Sequence, residues 1–358
     1  MKTVGIDLRC LPADGTDGAG IAHATRFLMQ ELCGRQVDWK WILYLQQGAK
    51  VEASHPKIHI SNSSGKALRS ALRFYPCDLL FVPSGACAPF ISIPQIPWVH
   101  DLAIFDHPEW FPESFVHRQI TMRLFARGLE RTSHLFSVSE TTKKDIVRHL
   151  RIDPSRITVT SEGGDPVLAS RSCTEKTSDD HGQFCVLVGT IEPRKNFNMI
   201  CTLWEDVYAK TGKQLVIVGK KGWGDVEIKS TKSVRVIESA DDEEKRRLIA
   251  YADIVLVPSW FEGFGLVALE GMQAESAVIV SNTGALPEVV GSDGICIAPD
   301  RPDLWKKEIL RLLQNNVARQ NLAKEGKKRS EAFTWQKTAD IIFRGINSHV
   351  SDTPLLEE

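Results

Sequence analysis

Ile254-Val255-Leu256-Val257-Pro258-Ser259-Trp260-Phe261-Glu262-Gly263-Phe264-Gly265-Leu266-Val267-Ala268-Leu269-Glu270 runs from an unbroken apolar stretch, through a polar and aromatic turn, into an apolar helical stretch. Four consecutive apolar residues suit a strand buried on both faces. Gly263 and Gly265 fall where the strand gives way to the helix. Glycines there let the backbone approach a ligand closely, and the helix start offers N–H groups and a positive dipole end to an anion. Alone this is a weak phosphate-site signal. Two carboxylates flank it, however, and an acid beside a phosphate would repel it. Glu262 and Glu270 are better suited to accept hydrogen bonds from hydroxyls, from a sugar on one side of a diphosphate and a ribose on the other. The plainer reading is a solvated glutamate pair around a helix cap.

The same alternation extends in both directions. After residue 183, apolar runs at Cys185–Val188, Leu215–Val218, Val234–Ile237, Ile254–Val257 and Val278–Val280 read as strands. Helical patterns at Phe197–Ala209, Asp242–Tyr251, Leu266–Ala274 and Asp303–Gln314 lie between or after them. Before residue 169, strands are expected at Val4–Ile6, Trp41–Leu45, Leu79–Val82, Ile96–Val99 and Leu135–Val138, with helices at Ala22–Leu32, Phe115–Arg131 and Thr141–Leu150. Residues 169–183 (ASRSCTEKTSDDHGQ) carry almost no apolar content and read as a linker. The expected architecture is α/β, two doubly wound domains joined by that linker, with ligands at the carboxyl ends of the strands in a cleft where the domains face each other. Phe333–Ile346 again has helical apolar spacing.

Composition narrows the function. Across 358 residues, 44 Lys+Arg against 45 Asp+Glu leave a net charge of −1, which argues against a protein that coats nucleic acid. The eight cysteines (Cys10, Cys33, Cys77, Cys87, Cys173, Cys185, Cys201 and Cys296) form no Cys-x-x-Cys pair, so they read as buried thiols in a reducing compartment. The N-terminal residues have no signal-peptide core, and Leu79–Val99 is interrupted by Pro83, Pro89, Pro94 and Pro97. A cytoplasmic protein is expected.

Glu262 to Glu270 is a Glu-x7-Glu, and the run from Pro258 to Gly291 resembles the donor-site signature of retaining glycosyltransferases of family 4, the group 1 glycosyltransferases, which have the GT-B fold of two Rossmann-like domains. Three further segments share the resemblance. They are Val188-Gly189-Thr190-Ile191-Glu192-Pro193-Arg194-Lys195-Asn196, Leu215–Val218 with Gly219-Lys220-Lys221-Gly222-Trp223-Gly224, and Val99-His100-Asp101-Leu102 followed by Pro108-Glu109-Trp110-Phe111. The chain looks most like the enzymes that build bacterial surface polysaccharides with mannose. The resemblance implies an acceptor-side domain over 1–168, a linker over 169–183, a nucleotide-sugar domain over 184–332, and a helix and tail over 333–358 that cross back to the first domain.

For individual residues, the resemblance implies that Lys195 and Arg194 neutralise the donor diphosphate, although many relatives carry an arginine where this chain has Thr190. Glu270 would hold the ribose hydroxyls and Glu262 the transferred sugar. Backbone N–H groups at Gly263, Phe264, Gly265 and Leu266 would meet the sugar and diphosphate, and Gly189 and Gly219 in the neighbouring loops, with Gly20 in the first domain, would also line the donor site. His100 would contact the donor sugar. Gly18-Ala19-Gly20 stands in for the first-domain glycine loop, followed by His23 and Ala24 where an arginine and an aromatic are common. Ser139-Glu140 reads first as a helix cap.

The implied reaction is transfer of a hexose, mannose from GDP-mannose foremost, to a growing glycan such as O-antigen or capsule. The alternatives are a UDP-sugar donor or a non-catalytic relative that only binds nucleotide sugars. A dinucleotide oxidoreductase would need Gly-x-Gly-x-x-Gly directly after the first strand, which is absent. No Asp-x-Asp pair occurs, so neither a metal nor another cofactor is expected. The partners are a nucleotide diphosphate sugar and a glycan or lipid-linked glycan. Arg123, Arg127 and Arg131, four apart on one helix face, and the shorter pair Arg69 and Arg73, read as solvated faces or as attraction to anionic lipid. The second reading would place the protein peripherally on the inner face of the membrane.

Overall fold

The computed structural model describes residues 1–14, 20–170, 184–224 and 226–350. The chain divides into two compact units. The first holds Met1–Phe105, Glu113–Gly163 and the segment from Thr334 onward, and the second holds Asp106–Pro112 and Gly164–Phe333.

Seven parallel strands form the sheet of the first unit: β1 (Thr3–Asp7), β2 (Lys40–Gln46), β3 (Lys57–Ile60), β4 (Leu79–Val82), β5 (Gln95–Val99), β6 (Leu135–Ser137) and β7 (Ile157–Val159). Their order is β3-β2-β1-β4-β5-β6-β7. The second unit repeats the plan with β8 (Phe184–Val188), β9 (Gln214–Val218), β10 (Val234–Ile237), β11 (Ile254–Val257), β12 (Ala277–Ser281) and β13 (Ile295–Ile297), in the order β10-β9-β8-β11-β12-β13. In each sheet the chain builds from its first strand to one edge, then crosses back and builds to the other. The loops after β8 and β11 therefore diverge, leaving a crevice at the carboxyl ends of these neighbouring strands.

The strand sequences explain the layering. Along β8 and β11, Cys185, Leu187, Ile254 and Leu256 face a core that contains Ile200, Trp204, Trp305 and Ile309. Their neighbours Val186, Val255 and Val257 face the opposite core, with Ala268, Met272 and Leu286. Period-two side chains that are apolar on both faces need helices on both faces, which requires the parallel crossover arrangement.

Several elements were not expected from the sequence. β3 and the helix Asn316–Ser330 are among them. β3 is a four-residue edge strand of which only Ile60 is buried. The helix buries just Ala323, Gly326 and Ser330, so it shows no apolar stripe. The second unit also takes in residues from Gly164, ahead of the expected end of the first domain at 168 and the expected start of the second at 184. Asp165 caps the short helix Pro166–Ala169 and accepts from Arg246 at 2.7 Å, which ties this segment to the second unit. The expected linker at 169–183 lies almost entirely outside the described residues.

At the C-terminus, the helix Trp335–Val350 belongs to the first unit. It buries Trp335, Thr338, Ala339, Ile342, Ile346 and Val350, and Thr338 Oγ1 donates to Ser161 O at 2.6 Å. Cys77, Cys87 and Cys185 are buried free thiols, and burial pushes the Cys185 thiol well above its usual range. Cys296 is exposed, contrary to the expectation of buried thiols, because its strand β13 turns that position outward. Among the described residues, no helix is long and apolar enough to cross a membrane.

Candidate active site

The crevice of the second unit is lined on one side by the loop after β8 and on the other by the loop after β11. Gly189 opens the first loop with a φ of +138°. The chain then passes through a single 3-10 turn, Pro193–Lys195, that presents Arg194 and Lys195. Across the crevice, Ser259 and Glu262 follow β11. The two loops are joined by charge. Lys195 Nζ lies 2.6 Å from Glu262 Oε1, and Arg194 Nη1 lies 3.2 Å from Glu262 Oε2. Ser259 Oγ, fully buried, donates to Glu262 Oε1 at 2.6 Å.

Burial by itself would push the Glu262 carboxyl up. Lys195 and Arg194, with hydrogen bonds from Lys195 and Ser259, overcome that and hold it down to about 2. Glu262 is therefore a carboxylate throughout the neutral range. Arg194 is fastened on its other edge by the buried Glu192, whose Oε1 lies 2.8 Å from Nη2 and 3.1 Å from Nε. Arg194 Nη1 also donates to Phe261 O at 3.1 Å. Its planar fork is thus shared between the two loops, a geometry that lysine could not reproduce.

Glu270 lies in the second turn of the helix Leu266–Gln273. It is buried to 3% exposure, with Lys245 Nζ 3.5 Å from its Oε1. The two carboxylates of the Glu-x7-Glu thus meet different cations. Gly263, Phe264 and Gly265 are buried in the turn between them, and Gly265 caps the helix that begins at Leu266 with a φ of +111°. Gly219 is a point of close approach, since a Cβ there would sit 1.9 Å from Gly189 O.

In the first unit, His100 follows β5. One of its ring nitrogens, Nδ1, lies 2.9 Å from Glu162 Oε1, and the other, Nε2, lies 2.8 Å from Pro83 O. Gly20 begins the helix Ile21–Cys33 with a φ of +53°, while Gly18 and Ala19 lie outside the described residues. Ser139 caps its helix, accepting from Thr142 N at 3.0 Å. Pro108-Glu109-Trp110-Phe111 clusters with the second unit, where Trp223 Nε1 donates to Trp110 O. Arg123 and Arg127 are exposed beside exposed Val116 and Ile120, whereas Arg131 Nη1 is used by Pro89 O.

Sequence reading passed over Glu192, Ser259, Gly284 and Glu162. A Cβ on Gly284 would lie 2.4 Å from Glu262 O, and Ala285 N donates to the same oxygen at 2.9 Å. Glu192 and Gly284 lie inside motif runs, at Glu-Pro-Arg-Lys and Asn-Thr-Gly-Ala. Their positions were legible, but their contacts with Arg194 and Glu262 depend on the fold.

Residues 174–329, which include this crevice, match the family described as glycosyl transferases group 1. The second unit is a group 1 glycosyl transferase domain. The chain is 28% identical over 252 residues to O-antigen chain mannosyltransferase B of Escherichia coli, covering 66% of each chain. It is 37% identical over 110 residues to the MMP alpha-(1->4)-mannosyltransferase of Mycolicibacterium hassiacum, covering 30% of this chain and 27% of that one. The match thus spans two thirds or less of these relatives' own length. The sucrose-phosphate synthase of Thermosynechococcus elongatus superposes with a TM-score of 0.73 at 16% identity, covering 97% of this chain and 99% of that one. The fold is GT-B. Lys195, Glu262 and Glu270 all lie within the group 1 domain.

Proposed function

We propose that the protein is a retaining, metal-independent hexosyltransferase. It would move mannose from GDP-mannose to a growing surface glycan or its lipid-linked precursor. The observation that carries this reading is the Lys195–Glu262 pair bridging the loops after β8 and β11, inside the region that matches the group 1 family. A diphosphate at the start of the helix Leu266–Gln273 would meet Lys195 and the N–H groups of the first helical turn. With Lys195 drawn to the phosphates, Glu262 would be released to accept from a hydroxyl of the transferred sugar, and Glu270 would take the ribose hydroxyls.

In a front-face reaction the departing diphosphate takes the acceptor's proton. The protein then has only to position the reactants and stabilise the charge growing on the leaving group. The mannosyl donor is supported by the similarity to the O-antigen chain mannosyltransferase B and the MMP alpha-(1->4)-mannosyltransferase. The test is a panel of GDP- and UDP-sugars incubated with the full chain and a lipid-linked glycan acceptor, with anomeric configuration read from the product. Mannose transferred from GDP-mannose with retention supports the reading. Transfer only from a UDP-sugar would move the donor assignment, and no turnover with any donor would leave a nucleotide-sugar-binding protein.

A further inference from the structure

His100 is held on every side within the first unit. Its ring packs against Trp98 at a centroid distance of 4.6 Å, and its carbonyl accepts from Thr142 Oγ1 at 3.1 Å. The side chains of His100 and Glu162 are only 10% and 5% exposed. The two ring contacts carry a proton count. Pro83 O can only accept, so Nε2 must carry a hydrogen to make the 2.8 Å contact. Nδ1 faces Glu162 Oε1 at 2.9 Å, and two lone pairs at that distance would repel. A second hydrogen therefore lies between Nδ1 and Oε1. Turning the ring over would put carbon against both oxygens and lose both bonds. Of the charged groups nearby, Glu162 meets the ring, whereas Asp101 turns its Oδ1 to Ala103 N.

We propose that Glu162 is a positioning residue that keeps both ring nitrogens of His100 protonated, so that His100 is an imidazolium paired with a carboxylate. Both N–H groups of such a ring are committed, one to Glu162 and one to Pro83 O, so the ring cannot take a proton. His100 then serves the reaction as one half of a fixed, buried ion pair and not as a base. That catalytic consequence rests on the transferase reading, whereas the proton count does not.

The test uses the full chain labelled with 15N in its histidine rings, with His100 assigned from the signals lost in His100→Gln. At pH 7, both His100 nitrogens should resonate as N–H. In Glu162→Gln, whose amide can donate to a bare nitrogen, Nδ1 should change to the unprotonated type while Nε2 stays an N–H. An unprotonated Nδ1 in the wild-type protein would overturn the proposal, and this reading does not require the variant to fold.

Kinetics provide the second readout. Glu162→Gln should lower kcat about tenfold, ~1.4 kcal/mol on the barrier, with donor KM changed by less than about twofold. An unchanged kcat would remove the positioning role. Absence of turnover in the wild type would count against the transferase reading alone, because the spectrum still decides the state of the pair.

Discussion

In the proposed transferase, Lys195 cannot serve a diphosphate fully while Glu262 holds it at 2.6 Å, so an arriving donor would have to take the lysine from the carboxylate. Glu262→Gln removes that competition. The variant should bind nucleoside diphosphate at least as well as the wild type while kcat falls by about one to two orders of magnitude. Calorimetry and steady-state turnover measure the two effects, and weakened diphosphate binding would contradict the exchange. Glu270→Gln should behave differently, losing ~1–3 kcal/mol of nucleoside diphosphate affinity through the ribose contacts proposed for it.

Acid should act on stability through Glu262 and His134 in successive pH windows that overlap near pH 4 to 4.5. Glu262 is held below its usual 4.5, so its stabilisation is complete above that value and is lost as the pH falls towards 2. Burial, with His349 nearby, lowers His134 from 6.5 to about 4. The unfolded chain then takes up that proton before the folded one, and stability declines as the pH falls from 6.5 towards 4. His134→Gln should therefore reduce the drop in urea midpoint between pH 7 and pH 4.5. An undiminished drop would show that His134 does not drive it.

The loop after β9 is packed so closely on the loop after β8 that Gly219→Ala must push one away from the other. The expected result is weaker nucleoside diphosphate binding, measured by calorimetry, with both sheets retained by circular dichroism. This packing marks the boundary of what the sequence discloses. Strands β4 and β11 and the helix Asp242–Tyr251 match their expected limits, because each is a continuous apolar run or an amphipathic stretch between clear turn signals. β3, β7 and β13 are edge strands of three or four residues, too short to stand out from loops, whereas β10, equally short and also at an edge, was legible from Val234, Val236 and Ile237. At the crevice, Lys195, Glu262 and Glu270 stood out as charges beside glycine turns. Glu192 and Ser259 did not, since a buried carboxylate and a buried hydroxyl acquire their roles only from partners 2 and 3 residues away whose side chains the fold turns towards them. The C-terminal helix lies between these cases. Its apolar spacing was visible, and its depth of burial supports a large effect. Ile342→Ala should cost ~2–5 kcal/mol in urea unfolding.

At the scale of the whole chain, the near-neutral charge of −1 leaves no general attraction for a polyanion, so any affinity for a diphosphate has to come from local cations. In the proposed transferase Lys195 would supply the cation, with the N–H groups at the start of the helix Leu266–Gln273 beside it, and turnover is accordingly expected to survive excess EDTA. A strict requirement for an added divalent ion would contradict that expectation. In the proposed transferase, the crevice between the loops after β8 and β11 binds the donor's diphosphate through Lys195. Calorimetric titration of GDP and UDP into the wild type and Lys195→Ala tests it most directly. The account predicts saturable binding by the wild type and a loss of ~1.5–3 kcal/mol in the variant. Equal affinities for the two proteins, or no binding by the wild type, would contradict it.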